Sequence, residues 1–275
     1  MKVIAVTGGK GGIGKTTISV NLAISFAKAG KKVLIFDADL GLANVDIHLG
    51  LKPTKTIHDY VAGKCDINEV CMDGPHGIKI IPSASGMQDL ADLTPEQSIN
   101  LIHSFSAITE NIDIMLIDLA SGISKQVIDF THAAQNILVV VCNDPSSLLD
   151  SYAVIKILNQ RYARNRFGII VNKVKSLQEG HSVFLRFNDT VSRFMNITTE
   201  YLGFIPADDY VAIAARENTA VCDRFPSSPA GSAFKDLQSG LNNWAEATPI
   251  SGGIQFFFEK LVNPSATDTE TLCKV

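Results

Sequence analysis

Residues Gly8 to Thr17 read GGKGGIGKTT, a glycine-rich loop with two lysines. Backbone N–H groups, a lysine and a hydroxyl in the pattern G-x-x-x-x-G-K-[ST] hold a nucleotide triphosphate and its Mg²⁺. The residues that fit this pattern are Gly9, Gly14, Lys15 and Thr16. An apolar run suited to a buried strand precedes the loop at Lys2–Thr7, and apolar residues at helical spacing follow it at Thr16–Ala29. The order of strand, loop and helix is the one that a phosphate-binding loop requires.

The loop contains a second lysine, Lys10. An ordinary phosphate loop needs one lysine, so another cation within it indicates a contact with a different phosphate group. The alternative is a lysine that is simply solvated on the surface of the loop.

The composition limits the classes of protein that fit. With 275 residues and 46% apolar content, the chain can bury the core of one large α/β domain. Its net charge of -4 argues against nucleic-acid binding through overall charge. Five cysteines without C-x-x-C spacing suggest neither a disulfide framework nor a metal-binding pair, so we expect a reducing, cytoplasmic environment. The chain enters its first strand at once, so we expect no signal peptide, and no apolar run reaches the roughly 18 residues that span a bilayer.

Two further predicted strands end in acids. Lys32–Phe36 is apolar and is followed by Asp37 and Asp39, and Asp113–Asp118 is a hydrophobic run that closes with an acid. Ligands of open α/β sheets bind at the carboxyl ends of parallel strands, where these carboxylates lie. Asp118 has the form of a Walker B carboxylate, which holds the Mg²⁺ shell.

Strands and helices alternate along the rest of the chain. We predict further strands at Gly77–Ser83, Asn136–Cys142, Phe167–Asn172 and Tyr201–Ile205. The predicted helices are Ile57–Ala62, Thr94–Thr109, Ser147–Ala163, one within Glu179–Met195, and two short helices after the last strand. The fold class is therefore α/β: a single-domain P-loop NTPase with a mostly parallel twisted sheet flanked by helices, plus a C-terminal amphipathic helix.

The two-lysine loop, the D-x-D strand end at Asp37–Asp39 and the Asp118 element, in this order, resemble the deviant Walker A ATPases of the MinD/ParA family over nearly the whole chain. The resemblance narrows to the FlhG/FleN branch, whose members regulate flagellar number. The stretches that carry it are DADLGLANVD (37–46), IPSASG (81–86), DPSSLLDSYAVIKIL (144–158) and the late FFFEKLV (256–262). It implies three segments: an ATPase domain at 1–250, an amphipathic membrane-targeting helix at 251–263 and a disordered tail at 264–275.

The resemblance also implies roles for individual residues, with ATP and Mg²⁺ as cofactors. The phosphates would be bound by Gly9, Gly11, Gly12, Ile13, Gly14, Lys15, Thr16 and Thr17. Thr16, Asp39 and Asp118 would hold the metal ion, directly or through water. Lys10, Lys15 and Asp39 would be the catalytic residues, with Lys10 completing the nucleotide site of a partner subunit in an ATP-dependent homodimer. The adenine would meet Asn172, Pro206, Ala207 and Asp208.

Several of these residues have a second interpretation. Asp37 can be a structural carboxylate that caps the adjacent loop. Asn172 and the turn at 206–208 can be ordinary strand-end residues. Ala120-Ser121 stands where relatives carry Pro-Ala or Ala-Ala, a difference that bears on the rate of hydrolysis.

The spacing of apolar residues near the C-terminus predicts an amphipathic helix of about three turns. Its apolar side consists of Ile254, Phe257, Phe258, Leu261 and Val262. Apolar aromatic residues favour a bilayer interface, and two copies in a dimer would add avidity. From the sequence alone, a helix docked permanently on the protein core is the alternative. The resemblance favours reversible attachment to the inner face of the cell membrane.

These observations lead to competing functions. The first is an ATPase switch that dimerises on ATP, attaches to the membrane and regulates flagellar number or placement. The second is a nucleotide-gated anti-activator of a flagellar transcription factor with little hydrolysis, and the third is MinD/ParA-like positioning of division machinery or DNA cargo. The candidate partners are a flagellar GTPase, a transcription activator or a switch protein, and the acidic net charge of the chain disfavours DNA. The basic run from Lys156 to Lys175 is interpreted as a solvated or lipid-facing surface.

Overall fold

The computed structural model describes residues 1–39, 44–82, 104–105, 108 and 111–244. The predicted membrane-targeting helix, the predicted tail and most of the predicted helix at Thr94–Thr109 lie outside the described residues. Within the described part, no helix is both long enough and apolar enough to traverse a bilayer.

The described strands form one eight-stranded sheet in the order β3-β4-β2-β5-β1-β6-β7-β8. They are β1 (Lys2–Thr7), β2 (Val33–Ala38), β3 (Met72–Asp73), β4 (Lys79–Ile81), β5 (Ile114–Leu119), β6 (Asn136–Cys142), β7 (Arg166–Val174) and β8 (Thr198–Pro206). The pairs are parallel except β3 with β4. The carboxyl ends of the parallel strands consequently meet at one edge of the sheet, where the phosphate loop and both acidic strand ends lie.

The helices connect these strands. They are α1 (Lys15–Lys28), α2 (Val45–His48), α3 (Ile57–Val61), α4 (Ile67–Val70), α5 (Lys125–Ala133), α6 (Pro145–Tyr162), α7 (Leu177–Phe194), α8 (Asp209–Arg216), α9 (Val221–Arg224) and α10 (Pro229–Asn243). A short 3-10 turn at Pro75–Gly77 precedes β4.

Both faces of the sheet are covered. Side chains of successive strand residues point to opposite faces, so Ile4 packs with α1 and α10, whereas Val3 packs on the other side with Phe130 of α5. Burial on both sides explains why the central strands are continuous apolar runs.

The elements predicted from the sequence largely match the structure. β1, α1, β2, α3, β5, β6, α6, β7, α7 and β8 lie at the predicted positions within a few residues. The prediction of two short helices after the last strand was wrong, because the structure has α8, α9 and the 15-residue α10 there. The apolar residues of α10 bury against α1, and its proline and glycines obscured the helical pattern in the sequence.

Candidate functional site

The phosphate loop is held in shape by close backbone packing. Gly14 has a φ of 95°, and a Cβ there would lie 2.5 Å from Nδ2 of Asn172. At Gly9 a Cβ would lie 2.1 Å from the backbone of Asp150 on α6. Gly9 is therefore required because a side chain would displace α6, and Gly14 because its positive φ would strain any other residue.

The first turn of α1 is open to an anion. Its N-cap is Gly14, which supplies no side-chain cap, and no acidic residue lies in the first turn. Unpaired N–H groups and the helix dipole favour a negative charge at such a terminus. Lys15 begins the helix and is mostly buried. Burial lowers the pKa of its ammonium, whereas the negative charges of Asp118 and Asp39 raise it by a smaller amount.

Ser121 connects the two lysines of the loop. Its Oγ accepts a hydrogen bond from Nζ of Lys15 and donates one to the backbone carbonyl of Lys10, 3.0 Å away. The serine that departs from the family pattern thus holds the Lys15 ammonium in this structure. The sequence showed that Ser121 differs from the family pattern, but it did not predict the contact of Ser121 with Lys15.

Asp118 lies fully buried beneath α1. Its Oδ1 accepts a hydrogen bond of 2.8 Å from Ser19, and Thr16 donates to the same carboxylate. Burial raises its pKa to about 6, while these two hydrogen bonds and the charge of Lys15 act in the opposite direction. Ser19 was not predicted, although its position three residues after Thr16 places it on the same helix face.

The carboxylate of Asp118 fits a role at a metal site. Within the described residues its Oδ2 is buried without a hydrogen-bond partner. Buried polar atoms are normally satisfied, so an orphaned oxygen in a carboxylate that also accepts from Thr16 fits a divalent cation or its water. The donor set of hydroxyl and carboxylate oxygens is one that Mg²⁺ prefers.

Asp37 has the structural role that the sequence left open. Its carboxylate accepts backbone hydrogen bonds from Asp39 (3.0 Å), Asn44 (3.0 Å) and Val45 (3.2 Å). Burial, followed by the charge of Asp118, raises its pKa to about 7, and the three backbone donors oppose that rise. Asp37 therefore fixes the backbone that leaves β2, and Asp39 lies on the wall of the cavity described below.

Lys10 is paired within its own chain. Its Nζ lies 2.6 Å from Oδ2 of Asp144 and 2.7 Å from Oγ of Ser146 at the start of α6. Both side chains of the ion pair are about 40% exposed (41% and 43%). The hydrogen bond raises the pKa of Lys10 and lowers that of Asp144 to about 2. The role of Lys10 at a partner's nucleotide stays a prediction.

The residues predicted to meet the adenine make structural hydrogen bonds. Asn172 donates from Nδ2 to the carbonyl of Ile13 over 2.6 Å. Asp208 caps α8 through Tyr210 N (2.9 Å) and also accepts from Ala230 N at the start of α10 (2.9 Å). The second interpretation of these residues is thus supported by direct contacts, and adenine binding stays a prediction.

A cavity of about 1020 Å³ brings most of the predicted residues together. The predicted residues on its wall are Gly11, Gly12, Gly14, Lys15, Thr16, Thr17, Asp39, Asn172, Pro206, Ala207 and Asp208. Gly9 and Ile13 support the loop instead, since Gly9 packs on α6 and Ile13 is buried next to Gly8. The cavity is large enough for a nucleotide, with cationic and amide groups at one end and apolar residues of α8 and α10 at the other.

Three of the six cations in the basic run make side-chain contacts within the protein. Arg164 donates to the carbonyls of His132 and Ala134, and Arg166 pairs with Glu200. Lys173 donates to the carbonyl of Gly12. Lys156, Arg161 and Lys175 are exposed. The interpretation of the run as a solvated or lipid-facing surface stays a prediction.

Comparison with known proteins identifies the family. Residues 4–221 match the CobQ/CobB/MinD/ParA nucleotide binding domain. The chain belongs to this family. It is 43% identical to the antiactivator FleN of Pseudomonas aeruginosa over 97% of this chain and 95% of that protein. It is 29% identical to the flagellum site-determining protein YlxH of Helicobacter pylori, over 95% and 90% of the two chains.

Solved structures of the family have the same fold. The chain superposes on the MinC:MinD cell division protein complex of Aquifex aeolicus with a TM-score of 0.71 and 27% identity, covering 92% of this chain and 99% of that one. The resemblance to MinD/ParA proteins and to the FlhG/FleN branch, predicted from the loop and strand-end motifs, is confirmed.

Proposed function

We propose that this chain is a Mg²⁺-dependent ATPase that works as a nucleotide-controlled switch. The observation that supports this most strongly is the grouping of Lys15, Thr16 and Asp118 around an uncapped helix start at the end of a 1020 Å³ cavity. Membership of a nucleotide-binding family agrees with that geometry.

Each residue would act on the phosphates or the attacking water. The Lys15 ammonium, released from Ser121, would neutralise phosphate charge, and loop amides would bind phosphate oxygens. Thr16 and Asp118 would hold Mg²⁺, which when bound neutralises charge on the terminal phosphates. Asp39, on the cavity wall, would orient the attacking water.

Dimerisation would control this chemistry through Lys10. In the present structure its ammonium is held by Asp144 and Ser146, away from any role in a second subunit. A partner's triphosphate is a stronger anionic site than one half-exposed carboxylate, so ATP would draw Lys10 across a homodimer interface. Hydrolysis and dimerisation would then be coupled.

The C-terminal segment would attach the dimer to the cell membrane. The described chain ends at Trp244, whose carbonyl accepts from Lys2 at 2.9 Å, so the segment leaves from the base of β1. The apolar residues proposed to enter the bilayer interface are Ile254, Phe257, Phe258, Leu261 and Val262. The protein would move between the cytoplasm and the inner membrane face.

The process we propose is the regulation of flagellar number or placement. The similarity to proteins named antiactivator FleN and flagellum site-determining protein YlxH supports it. A flagellar GTPase or a transcription activator would be the partner.

ATP turnover with and without lipid vesicles tests the enzyme. We expect a vesicle-stimulated rate in the wild type that is lost in Lys15→Gln and Asp39→Ala. Asp236→Ala, an exposed change on α10 outside the cavity wall, serves as the control. Unchanged turnover in both site variants would remove the enzymatic assignment.

A second candidate is a nucleotide-gated anti-activator that hardly hydrolyses ATP. The 43% identity to a protein named antiactivator favours it. In that case ATP would promote binding to a flagellar transcription activator, and lipid would leave a very low turnover unchanged. Pull-down of the activator with a non-hydrolysable ATP analogue, together with the turnover assay, distinguishes the two.

A further inference from the structure

Lys173 has an unusual backbone conformation at the end of β7. Its φ is 59°, in the left-handed region that glycine adopts easily and that strains other residues. The pairing of β7 with β8 shifts between Asn172 and Val174, so Lys173 is the extra residue of a bulge. The conformation is fixed by a hydrogen bond of 2.9 Å from the Lys173 N–H to Oδ1 of Asn172.

The bulge directs two neighbouring side chains onto the phosphate loop. Nζ of Lys173 donates to the carbonyl of Gly12 over 2.7 Å. Nδ2 of Asn172 donates to the next carbonyl, that of Ile13, over 2.6 Å, and Sγ of Cys142 lies 3.8 Å from the same oxygen. Two consecutive peptide groups of the loop are therefore held by consecutive residues of one strand.

Holding these carbonyls determines where the amides point. In a trans peptide the C=O of one residue and the N–H of the next point in opposite directions. Because the Gly12 carbonyl points toward Lys173, the Ile13 N–H points away from Lys173. Because the Ile13 carbonyl points toward Asn172, the Gly14 N–H points away from Asn172. The positive φ angles of Gly12 (73°) and Gly14 (95°) give the loop the alternating backbone that forms an anion-binding nest.

We infer that Lys173 is a positioning residue for phosphate binding: its ammonium holds the Gly12 carbonyl so that the loop amides face the terminal phosphates. The inference rests on the proposed nucleotide site. A lysine is kept in a strained conformation here because its side chain reaches a loop carbonyl that glycine, the unstrained choice, would leave unpaired.

The test compares ADP and adenosine binding by the full-length chain. Lys173→Met removes the ammonium, Lys173→Arg retains a cationic donor, and Lys173→Gly removes the side chain while relieving the backbone. We expect Lys173→Met and Lys173→Gly to bind Mg-ADP about tenfold more weakly, the loss expected for a hydrogen bond from a charged group. Adenosine, which has no phosphate, should compete as well as it does in the wild type, and Lys173→Arg should recover most of the ADP affinity.

Stability and a neighbouring lysine provide the controls. Lys173→Gly should keep the Tm of the nucleotide-free protein, since strain is relieved, and Lys175→Met, two residues along on the exposed surface, should bind ADP normally. The inference is overturned if Lys173→Met binds ADP like the wild type, if arginine restores nothing, or if adenosine binding falls in parallel. Failure of the proposed function is distinguishable, because the wild type would then bind ADP no better than Lys15→Gln.

Discussion

Among single residues, two neighbouring buried carboxylates, Asp37 and Asp118, dominate the electrostatics of the site. Asp37 and Asp118 face each other as register partners on adjacent strands β2 and β5, both fully buried. Burial raises the pKa of each, to about 7 and about 6. Two buried carboxylates on adjacent strands make a site that is costly to keep without a bound cation.

Replacing Asp118 by Asn should stabilise the nucleotide-free protein at alkaline pH. A carboxyl with a raised native pKa stabilises the fold below its unfolded pKa, and that contribution is lost as pH rises through the native pKa, here between about 4 and 6. At pH 8 the ionised Asp118 therefore lowers the free energy of unfolding by on the order of 3 kcal/mol, since each unit of difference between the native and unfolded pKa corresponds to about 1.4 kcal/mol. Thermal unfolding in EDTA should show a higher Tm than the wild type at pH 8 and no difference at pH 4.

Asp37→Asn is the matched comparison for that measurement. Its carboxylate accepts from three backbone N–H groups, and an amide offers one acceptor oxygen in place of two. The Tm of this variant should fall at pH 4, where the lost acceptor is not offset by removal of a buried charge. At pH 8 removal of that charge offsets the lost acceptor, so Asp37→Asn should gain less than Asp118→Asn. A Tm for Asp37→Asn at pH 4 equal to that of the wild type, or a lower Tm for Asp118→Asn at pH 8, contradicts the structural role of Asp37 and the metal-binding role of Asp118.

Asp144→Asn should release Lys10 without unfolding α6. Asparagine is as good an N-cap as aspartate, and an exposed ion pair contributes at most about 1 kcal/mol, so the Tm should change little. Sedimentation with an ATP analogue should show dimers at a lower protein concentration than in the wild type. Ser146→Ala, which removes the uncharged contact, should have a smaller effect, and weaker dimerisation in Asp144→Asn would contradict the proposed competition.

At the scale of elements, two helix starts converge on Asp208. One carboxylate oxygen caps α8 and the other accepts from Ala230 in the first turn of α10. These helices close the apolar end of the cavity. The Asp208 side chain thus stabilises both helix starts and holds them next to each other at this wall of the cavity.

Asp208→Ala should destabilise the protein by about 1–2 kcal/mol, the usual cost of losing an N-cap. Urea unfolding without nucleotide measures this effect. If Asp208 also meets the adenine, affinity for ADP falls further in Asp208→Ala than in Ser228→Ala, which removes only the cap of α10. Equal ADP affinity in the two variants would leave Asp208 with its structural role alone.

The elements show what the sequence can and cannot predict. Buried strands such as Asn136–Cys142 are continuous apolar runs, so their positions could be predicted directly. Helices α2 and α4 have four residues each, too few for a periodic pattern. The loop glycines and Asp118 follow from motif spacing, whereas the contacts of Lys10, Ser121 and Lys173 join segments more than 100 residues apart. Such contacts depend on where the folded sheet places each strand end.

At the scale of the whole molecule, the proposed switch depends on a second subunit. Large apolar side chains are exposed on the described chain, among them Ile47, which precedes the cavity-lining His48 on α2; Ile123, two residues after Ser121; and Leu149. Leu149 lies on α6, the helix whose start holds Lys10. An apolar surface next to a displaceable cation is what an ATP-dependent homodimer interface requires.

Deleting residues 245–275 should separate membrane attachment from nucleotide binding. The described fold ends at Trp244, which packs in the core with α10, so the truncated protein should keep its Tm and its ADP affinity. Co-sedimentation with anionic vesicles and an ATP analogue should be lost. Vesicle binding that survives the deletion would place the membrane contact elsewhere on the protein.

The mass of the 275-residue protein in solution shows whether ATP joins two subunits. Multi-angle light scattering should give a monomer alone and with Mg-ADP, and a dimer with Mg²⁺ and a non-hydrolysable ATP analogue. Lys10→Ala should bind the analogue and remain a monomer. A wild-type protein that stays monomeric when saturated with the analogue would contradict the proposal of a switch in which each subunit completes the other's site.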